Sequence, residues 1–484
     1  MYLGIDLGTS AVKAVLLAED GTLAAQASSP PLAISRPRPL FSEQDPYDWW
    51  RAVDHAVRAL DPSLRRKVRA IGLAGQMHGA TLLGADDRPL RPAILWNDGR
   101  SDAECVELEA AEPRTREISG NAAMAGFTAP KLLWVRRHEP ELFAAVRSVL
   151  LPKDYVRLRM TGGKASDMSD ASGTLWLDVA ARRWSPDMLA ATGLDERTMP
   201  ELFEGSEVSG TLRRDVAEAW GMEAVRVAAG GGDNAAAAVG AGVIGEGDAF
   251  LSLGTSGVAF VATDRLLAAP AQGLHAFCHA LPGRWHQMSV MLSAAACLDW
   301  ATGLLGFADV PELLAAAERA EDASAPIFLP YLNGERTPHA DPYATGVFFG
   351  LTAGTGREAA ARAVLDGVAM GLRDGVDVIA GTGSDIRSFT MVGGGSRSQF
   401  WGRLIAAALD RPLVYREAGE VGPAFGAARL ARIASGEARV EEVCAPPPVT
   451  ATIEPEPRLI DHFAERQPRF RALYAALKPV FREP

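Results

Sequence analysis

The chain has few cysteines, no excess of positive charge and no long apolar segment, and each absence excludes a class of function. Its four cysteines among 484 residues form no CxxC pair, so neither a zinc knuckle nor a redox dithiol is indicated. The formal net charge of −11 argues against nucleic acid or anionic lipid as a partner, since both require clustered cations. No apolar run is long enough to span a bilayer, and Asp6 stands where a secretory signal would be apolar, so we expect a cytoplasmic protein.

Familiar ligand-binding motifs are also absent. The segment 240–245 fits GxGxxG by spacing, but it follows an alanine-rich run that is typical of a helix rather than a strand. Gly162-Gly163-Lys164 is followed by alanine where a P-loop requires Ser or Thr. His275 and His279 are spaced to share a helix face, but no acidic residue stands at metallohydrolase spacing, so we interpret them as structural.

The two halves of the chain carry the same strand-turn-strand pattern. Residues 7–10 and 253–256 are both Leu-Gly-Thr-Ser, and each tetrad lies in a turn between two β-rich runs. Internal duplication is the economical explanation. Strands alternate with helical segments elsewhere, so the sequence predicts two α/β domains with mixed sheets, residues 1–244 and 245–484, divided near the turn-rich segment 245–248.

Several helices have recognisable ends. Asp45 is a candidate N-cap with Pro46 at the first helical position, and it predicts an amphipathic helix that continues to Leu60. Residues 357–379 predict a longer helix. The proline-rich stretch 446–448 indicates a linker before a terminal helix over 461–477.

Three turns rich in glycine and hydroxyl residues each follow a predicted strand. They are residues 8–10, 254–257 and 393–396. Glycine lets the backbone approach a ligand closely, and its exposed N–H groups together with Thr and Ser hydroxyls suit phosphate oxygens. One such turn is usually only a turn, but two matched copies and a third favour a phosphate site.

Two aspartates are candidates for chemistry. Asp6 ends a buried strand just before the first of these turns, where a carboxylate can hold Mg²⁺ directly or through its waters; the alternative is an Asx-type turn. Asp233 follows three glycines and begins a helix, where an N-cap is the ordinary explanation. The glycines are expected to clear space for a ligand beside the Asp233 carboxylate, which at neutral pH can accept a proton from a hydroxyl.

A further polar group lies at the end of a predicted strand over residues 68–74. Gln76 and His78 follow this strand at its carboxyl end, the favoured place for ligands in α/β sheets. A structural histidine is the alternative.

Four motifs resemble the FGGY carbohydrate kinases: GIDLGTS at 4–10, GQMHG at 75–79, GGGDN at 230–234 and GERTPH at 334–339. Segments 94–98, 127–131 and 151–155 are similar as well, so the likeness covers essentially the whole chain. Met-His after Gly-Gln differs from the Arg-Glu of the glycerol kinases. The resemblance implies two ribonuclease H-like domains of the actin-type ATPase fold, with ATP, Mg²⁺ and a small sugar, D-xylulose, meeting in the cleft between them.

The resemblance also implies roles for individual residues. Asp233 would be the base that deprotonates the sugar's 5-hydroxyl, and Asp6 would support Mg²⁺ and the phosphates. The sugar would be held by Met77, His78 and Asn234 beside Asp233. ATP would contact Gly8, Thr9, Ser10, Lys13, Gly254, Thr255, Gly394, Gly395 and Ser398.

Alternatives remain open at this stage. The substrate could be another pentulose, a pentitol or glycerol, because one sequence does not show the shape of a pocket. From other classes, an actin-like ATPase switch would use the same fold and phosphate turns, and a non-catalytic sugar sensor is disfavoured because both aspartates are present. The sequence does not determine the oligomeric state, although homodimers are common among relatives.

Overall fold

The computed structural model describes residues 1–320, 325–393, 398–417 and 422–482. The strands are β1 (Tyr2–Leu7), β2 (Val12–Leu17), β3 (Leu23–Ser28), β4 (Glu43–Gln44), β5 (Ala70–Gly75), β6 (Thr81–Leu83), β7 (Ala93–Ile94), β8 (Ser148–Leu150), β9 (Ala165–Asp167), β10 (Leu177–Asp178), β11 (Arg183–Trp184), β12 (Glu201–Phe203), β13 (Val208–Thr211), β14 (Arg226–Ala228), β15 (Gly231–Gly232), β16 (Ala249–Leu253), β17 (Gly257–Thr263), β18 (His275–Cys278), β19 (Trp285–Met291), β20 (Ile327–Leu329), β21 (Val347–Phe349), β22 (Phe389–Val392), β23 (Leu413–Arg416) and β24 (Val449–Ile453).

The α-helices are α1 (Pro46–Arg58), α2 (Pro62–Arg65), α3 (Asp102–Ala111), α4 (Thr115–Ser119), α5 (Thr128–His138), α6 (Pro140–Ala145), α7 (Pro152–Thr161), α8 (Met168–Ser172), α9 (Pro186–Thr192), α10 (Arg214–Trp220), α11 (Asp233–Ala241), α12 (Ala295–Leu305), α13 (Val310–Arg319), α14 (Arg357–Gly381), α15 (Gln399–Leu409), α16 (Gly422–Ala434), α17 (Val440–Val443) and α18 (Pro457–Leu477). In the described part of the chain, every helix is too short or too polar to span a bilayer.

Fourteen of the described strands form two seven-stranded mixed sheets with matching topology, and the other ten form five two-stranded sheets. The first has the order β13-β14-β5-β1-β2-β3, with β15 added against β5, and the second has the order β18-β19-β17-β16-β22-β23-β24. In the first sheet β1 pairs antiparallel with β2 and parallel with β5; in the second β16 pairs antiparallel with β17 and parallel with β22. Each Leu-Gly-Thr-Ser tetrad therefore follows the equivalent strand of its sheet, as internal duplication predicts.

Local sequence signals explain several element boundaries. The Asp45 side chain caps α1 by accepting a hydrogen bond from the Tyr47 N–H at 2.9 Å, as predicted, and the helix ends at Arg58. The long helix expected over residues 357–379 is α14. His275 and His279 do not share a helix face, because His275 begins β18, where pairing with β19 sets the backbone.

Some elements differ from the sequence prediction. The stretch 446–448 is followed by β24, which pairs antiparallel with β23, before the terminal helix begins. That helix, α18, starts at Pro457 and not at residue 461, and it contains one further proline, Pro468. A proline at the start of a helix lacks only a donor that would be unpaired there, so Pro457 begins α18 without the loss of a helical hydrogen bond.

Helix α16 connects the two halves of the chain. It comes late in the sequence but packs on β1 and β5 of the first sheet, where a Cβ at Gly4 or at Gly72 would lie 1.9 Å from a helix carbonyl oxygen. Glycine at both positions lets the helix backbone lie directly on the sheet. The chain thus returns from the second sheet to the first, and α16 also packs closely against α11 through Gly426, whose Cβ would meet Ala236 O.

Candidate active site

Two cavities open beside the first turn of α11, where Asp233 and Asn234 lie. The aromatic cavity, of about 280 Å³, is lined among others by Met77, His78, Trp96, Phe127, His275 and Arg336. The glycine cavity is lined among others by Gly240, Thr390, Gly393, Arg416 and Gly422. Asp233, Asn234 and Ser252 line both cavities, so molecules bound in the two would meet at these side chains. The four residues predicted to hold a sugar, Met77, His78, Asp233 and Asn234, are all brought together in the aromatic cavity.

Asp233 is the first residue of α11 and does not act as its cap, because Gly232 holds the N-cap position. One oxygen of its carboxylate, Oδ1, accepts hydrogen bonds from the backbone N–H of Asn234 at 2.7 Å and from the side-chain amide of Asn234 at 2.9 Å. Burial raises the pKa of Asp233 to about 6, while these two hydrogen bonds act to lower it. The carboxylate is therefore mainly ionised at neutral pH and close enough to its pKa to take up a proton.

The three glycines before Asp233 make room for protein atoms. Gly230 has a φ of +82°, and a Cβ there would lie 1.9 Å from Leu73 O on β5; a Cβ on Gly232 would lie 2.7 Å from Met77 Sδ. The prediction that these glycines clear space for a ligand is therefore wrong. They let the turn pass against β5 and against Met77, which fixes the position of Asp233.

A buried ionic network supports the same turn. The ammonium of Lys153 has no exposure and forms ion pairs with three buried carboxylates, those of Asp154 at 2.6 Å, Asp167 at 2.7 Å and Asp170 at 3.1 Å. Asp167 accepts a hydrogen bond from the Ser169 hydroxyl at 2.5 Å, and this hydroxyl accepts one from the N–H of Gly232 at 3.0 Å. Ser169 therefore links the network to the residue that precedes Asp233.

Asp6 lies near the end of β1 with an unusual environment. Its buried Oδ1 has no hydrogen-bond partner among the described residues. Burial and the negative charge of Asp233 raise the pKa of Asp6 to about 7, and Lys13, its partner on β2, opposes this shift. A buried, unpartnered carboxylate oxygen beside a second carboxylate favours a cation.

The first glycine-hydroxyl turn is held by side chains from three segments. The Thr9 hydroxyl donates to Gln76 Oε1 at 3.1 Å and accepts from Trp96 Nε1 at 3.0 Å. The Thr9 carbonyl accepts from Gln44 Nε2 at 2.8 Å. Trp96 also lines the aromatic cavity, so it connects this turn to that cavity. The other two residues of the turn are Gly8 and the exposed Ser10.

The second turn lies at the start of α12. The carbonyls of Gly254 and Thr255 accept hydrogen bonds from the first N–H groups of that helix, and the Thr255 side chain is exposed. Of the third turn, Gly394 and Gly395 lie outside the described residues. Ser398 caps α15 by accepting from Trp401 N at 3.2 Å.

His78 is held in an uncommon backbone conformation, with a φ of +67°. Its carbonyl accepts hydrogen bonds from Lys131 Nζ at 2.8 Å and from the Thr128 hydroxyl at 3.1 Å, and its Nδ1 lies 2.7 Å from Gly173 O. Burial lowers the pKa of His78 to about 3, so the ring is neutral and Nδ1–H donates to Gly173. Nε2 is therefore the acceptor of this ring, and His78 lines the aromatic cavity.

Many lining residues were not predicted from the sequence, among them Trp96, Phe127, Arg336 and Ser252. Trp96, Phe127 and Arg336 lie in segments that were recognised only as part of a family likeness, and no local pattern separates them from packing residues. Ser252 had a usable signal, because it precedes Leu-Gly-Thr-Ser in the second half just as Asp6 does in the first.

Comparisons with known proteins agree with this geometry. Residues 1–240 match the N-terminal domain of the FGGY family of carbohydrate kinases, and residues 249–435 match the C-terminal domain. The xylulose kinase of Escherichia coli is 55% identical over 99% of this chain and 100% of its own length, and that of Bacillus subtilis is 36% identical over 92% and 90%.

Solved structures show the same fold. The crystal structure of "a xyloylose kinase" from Brucella ovis superposes with a TM-score of 0.95 at 50% identity, covering 99% of both chains. That of xylulose kinase from Rhodospirillum rubrum has a TM-score of 0.92 at 30% identity and covers both chains completely. Glycerol kinase from Plasmodium falciparum, at 18% identity and a TM-score of 0.87, shows the fold alone.

The duplicated mixed sheets and the paired cavities define a two-domain sugar kinase with the actin-like ATPase fold, which confirms the predicted fold class. The chain belongs to the FGGY family of carbohydrate kinases. Membership in a family of carbohydrate kinases favours a kinase over the two alternative functions, an ATPase switch and a sugar sensor.

Proposed function

We propose that this protein is a xylulose kinase, which transfers the γ-phosphoryl group of ATP to the 5-hydroxyl of D-xylulose with Asp233 as the general base. The observation that supports this most directly is that Asp233 and Asn234 line both cavities. The aromatic cavity is small and carries a few polar groups among apolar side chains, which suits a sugar of five carbons. The glycine cavity then receives ATP.

The chemistry requires the sugar oxygen, the phosphorus and the leaving oxygen in line. As the bond between O5 and the γ-phosphorus forms, the bond between that phosphorus and the bridging oxygen of ADP breaks, and the proton of O5 passes to Asp233. A carboxylate with a pKa of about 6 accepts this proton and releases it again at neutral pH. Asn234 holds the carboxylate in place during the transfer through its two hydrogen bonds to Oδ1.

The residues at the phosphate side fit a magnesium ion. In the described part of the chain, no group of three or more His, Cys, Asp or Glu side chains could form a metal cage, while Asp6 offers one buried, unpartnered oxygen. Mg²⁺ characteristically binds through one or two carboxylates together with substrate phosphates. Asp6 would hold it, directly or through water, and the bound ion would neutralise charge on the phosphates.

The phosphate contacts follow the two matched turns. Gly8, Thr9, Ser10 and Lys13 contact the transferring phosphoryl group from the first sheet, and Gly254 and Thr255 from the second. Ser398, with Gly394 and Gly395, would contact the adenosine. These assignments are supported by the equivalent position of both turns in the two sheets.

The decisive experiment measures ADP release from Mg-ATP with D-xylulose and with a panel of other pentuloses, pentitols and glycerol. We expect release that depends on sugar, with D-xylulose as the preferred substrate, and a loss of about 10²- to 10⁴-fold in turnover for Asp233→Ala with ATP binding retained. Equal ADP release without sugar, or near-normal turnover of Asp233→Ala, would refute the proposal.

A further inference from the structure

A chemical constraint follows from the position of the phosphorylated oxygen. A 2-ketopentose closes its ring when O5 attacks C2, so O5 is a ring oxygen in the cyclic form and carries no proton. Opening breaks the C2–O5 bond, moves the proton of the C2 hydroxyl to O5 and forms the C2 carbonyl. A kinase that phosphorylates O5 therefore acts on the open-chain ketone, and this step rests on the proposed function.

Arg336 supplies a suitable partner for that carbonyl. Its side chain lines the aromatic cavity together with Asp233, and among the described residues no carboxylate lies within ion-pair distance of it. One guanidinium N–H donates to His275 Nε2 at 3.2 Å. A guanidinium has five N–H donors and no acceptor, so several donors remain for a ligand.

His275 fixes the direction of these donors. Burial lowers the pKa of His275 well below its usual value, so the ring is neutral. Its Nδ1 lies 3.3 Å from the Asn121 side-chain oxygen, which can only accept from it, and Nε2 is therefore the acceptor for Arg336. The Arg336–His275 pair thus presents hydrogen-bond donors to the cavity, because its one acceptor is already used.

The backbone on either side of Arg336 is held as well. Glu335 accepts from the N–H of Leu292 at 3.0 Å, and Thr337 exchanges two hydrogen bonds of 3.1 Å with Val290 on β19. The guanidinium is therefore placed before a ligand arrives, which lowers the entropy cost of binding.

We propose that Arg336 recognises the C2 carbonyl oxygen of the open-chain ketose and so selects this form over the ring and over polyols. A carbonyl oxygen accepts hydrogen bonds without donating any, so it matches the N–H donors of Arg336. The hydroxyl of a pentitol also carries a proton, and the Arg336–His275 pair has no free acceptor for it. The ring form has no carbonyl to present.

The test compares D-xylulose with xylitol and D-arabinitol, the two alcohols obtained by reducing its carbonyl. For Arg336→Met we expect the KM for D-xylulose to rise on the order of 10- to 100-fold, the range for a hydrogen bond to a charged group. The inhibition constants of the two pentitols should change by less than about threefold, because they do not use a carbonyl. Arg336→Lys keeps the charge but has fewer N–H donors. Its KM for D-xylulose should therefore lie between that of the wild type and that of Arg336→Met.

Controls separate the possible outcomes. Arg265→Met, at an exposed site paired with Asp264, should leave all these constants unchanged, and ADP affinity should be unchanged in every variant. If KM and the pentitol constants change by the same factor in both Arg336 variants, or if neither changes, the role of Arg336 is refuted. A wild-type enzyme that is inactive with D-xylulose refutes the proposed function itself.

Discussion

Replacing Asn234 with alanine changes the pH at which the catalytic base is ionised. The Asn234 amide donates to Asp233 Oδ1 at 2.9 Å, and this hydrogen bond opposes the burial that raises the pKa of Asp233, which is about 6 with the bond in place. Without the amide the ionised carboxylate loses one donor, so the pKa of Asp233 must rise. The backbone N–H of residue 234 still donates, so the base is kept.

The size of the shift follows from the strength of the lost bond. A hydrogen bond to a charged group contributes about 1.5–3 kcal/mol, and about 1.4 kcal/mol corresponds to one pKa unit. Because Asp233 is partly exposed, we take the lower end and expect a rise of about one unit. Only the ionised base is active, so at pH of about 6 the variant should have roughly one fifth of the wild-type fraction of active enzyme.

The assay is the pH dependence of kcat/KM for D-xylulose at saturating Mg-ATP, with each profile scaled to its own plateau. Scaling removes the loss of sugar affinity, and because Asp6 also titrates in this range, it is the shift of the acidic inflection between the two profiles that reports the base. Asn333→Ala, an exposed asparagine bonded to Ser293, is the matched control and should keep the wild-type inflection. An inflection for Asn234→Ala at or below the wild-type pH would refute the reasoning.

Two further substitutions test the surroundings of the base. His78→Ala should raise the KM for sugar with nucleotide affinity preserved, since the ring lines only the aromatic cavity; equal losses in both titrations would mean that the sugar pocket is misplaced. Ser169→Ala leaves the N–H of Gly232 without its partner, so thermal unfolding should show a loss of about 1–3 kcal/mol. Its kcat should fall with KM for ATP unchanged, and a normal kcat would make Ser169 purely structural.

Features that depend on neighbouring residues could be predicted from the sequence. The cap at Asp45, the strands before each Leu-Gly-Thr-Ser tetrad and the helix that starts at Asp233 follow from hydrogen bonds and periodicities within a few residues. The identical tetrads at 7–10 and 253–256 predicted two equivalent sheets, because the same four residues between two strands favour the same turn. The spacing of His275 and His279 is compatible with a helix, but pairing with β19 makes the segment at His275 a strand.

The sequence by itself determined the two α/β units and the candidate carboxylates, Asp6 and Asp233. Only the tertiary structure decided that Arg336, far from Asp233 along the chain, shares a cavity with it, and that the glycines before Asp233 accommodate Leu73 and Met77. The physical reason is the distance along the chain over which the deciding contacts act. Turns and caps are set by local hydrogen bonds, whereas the walls of a cavity come from segments that meet only when the two sheets and α16 pack together.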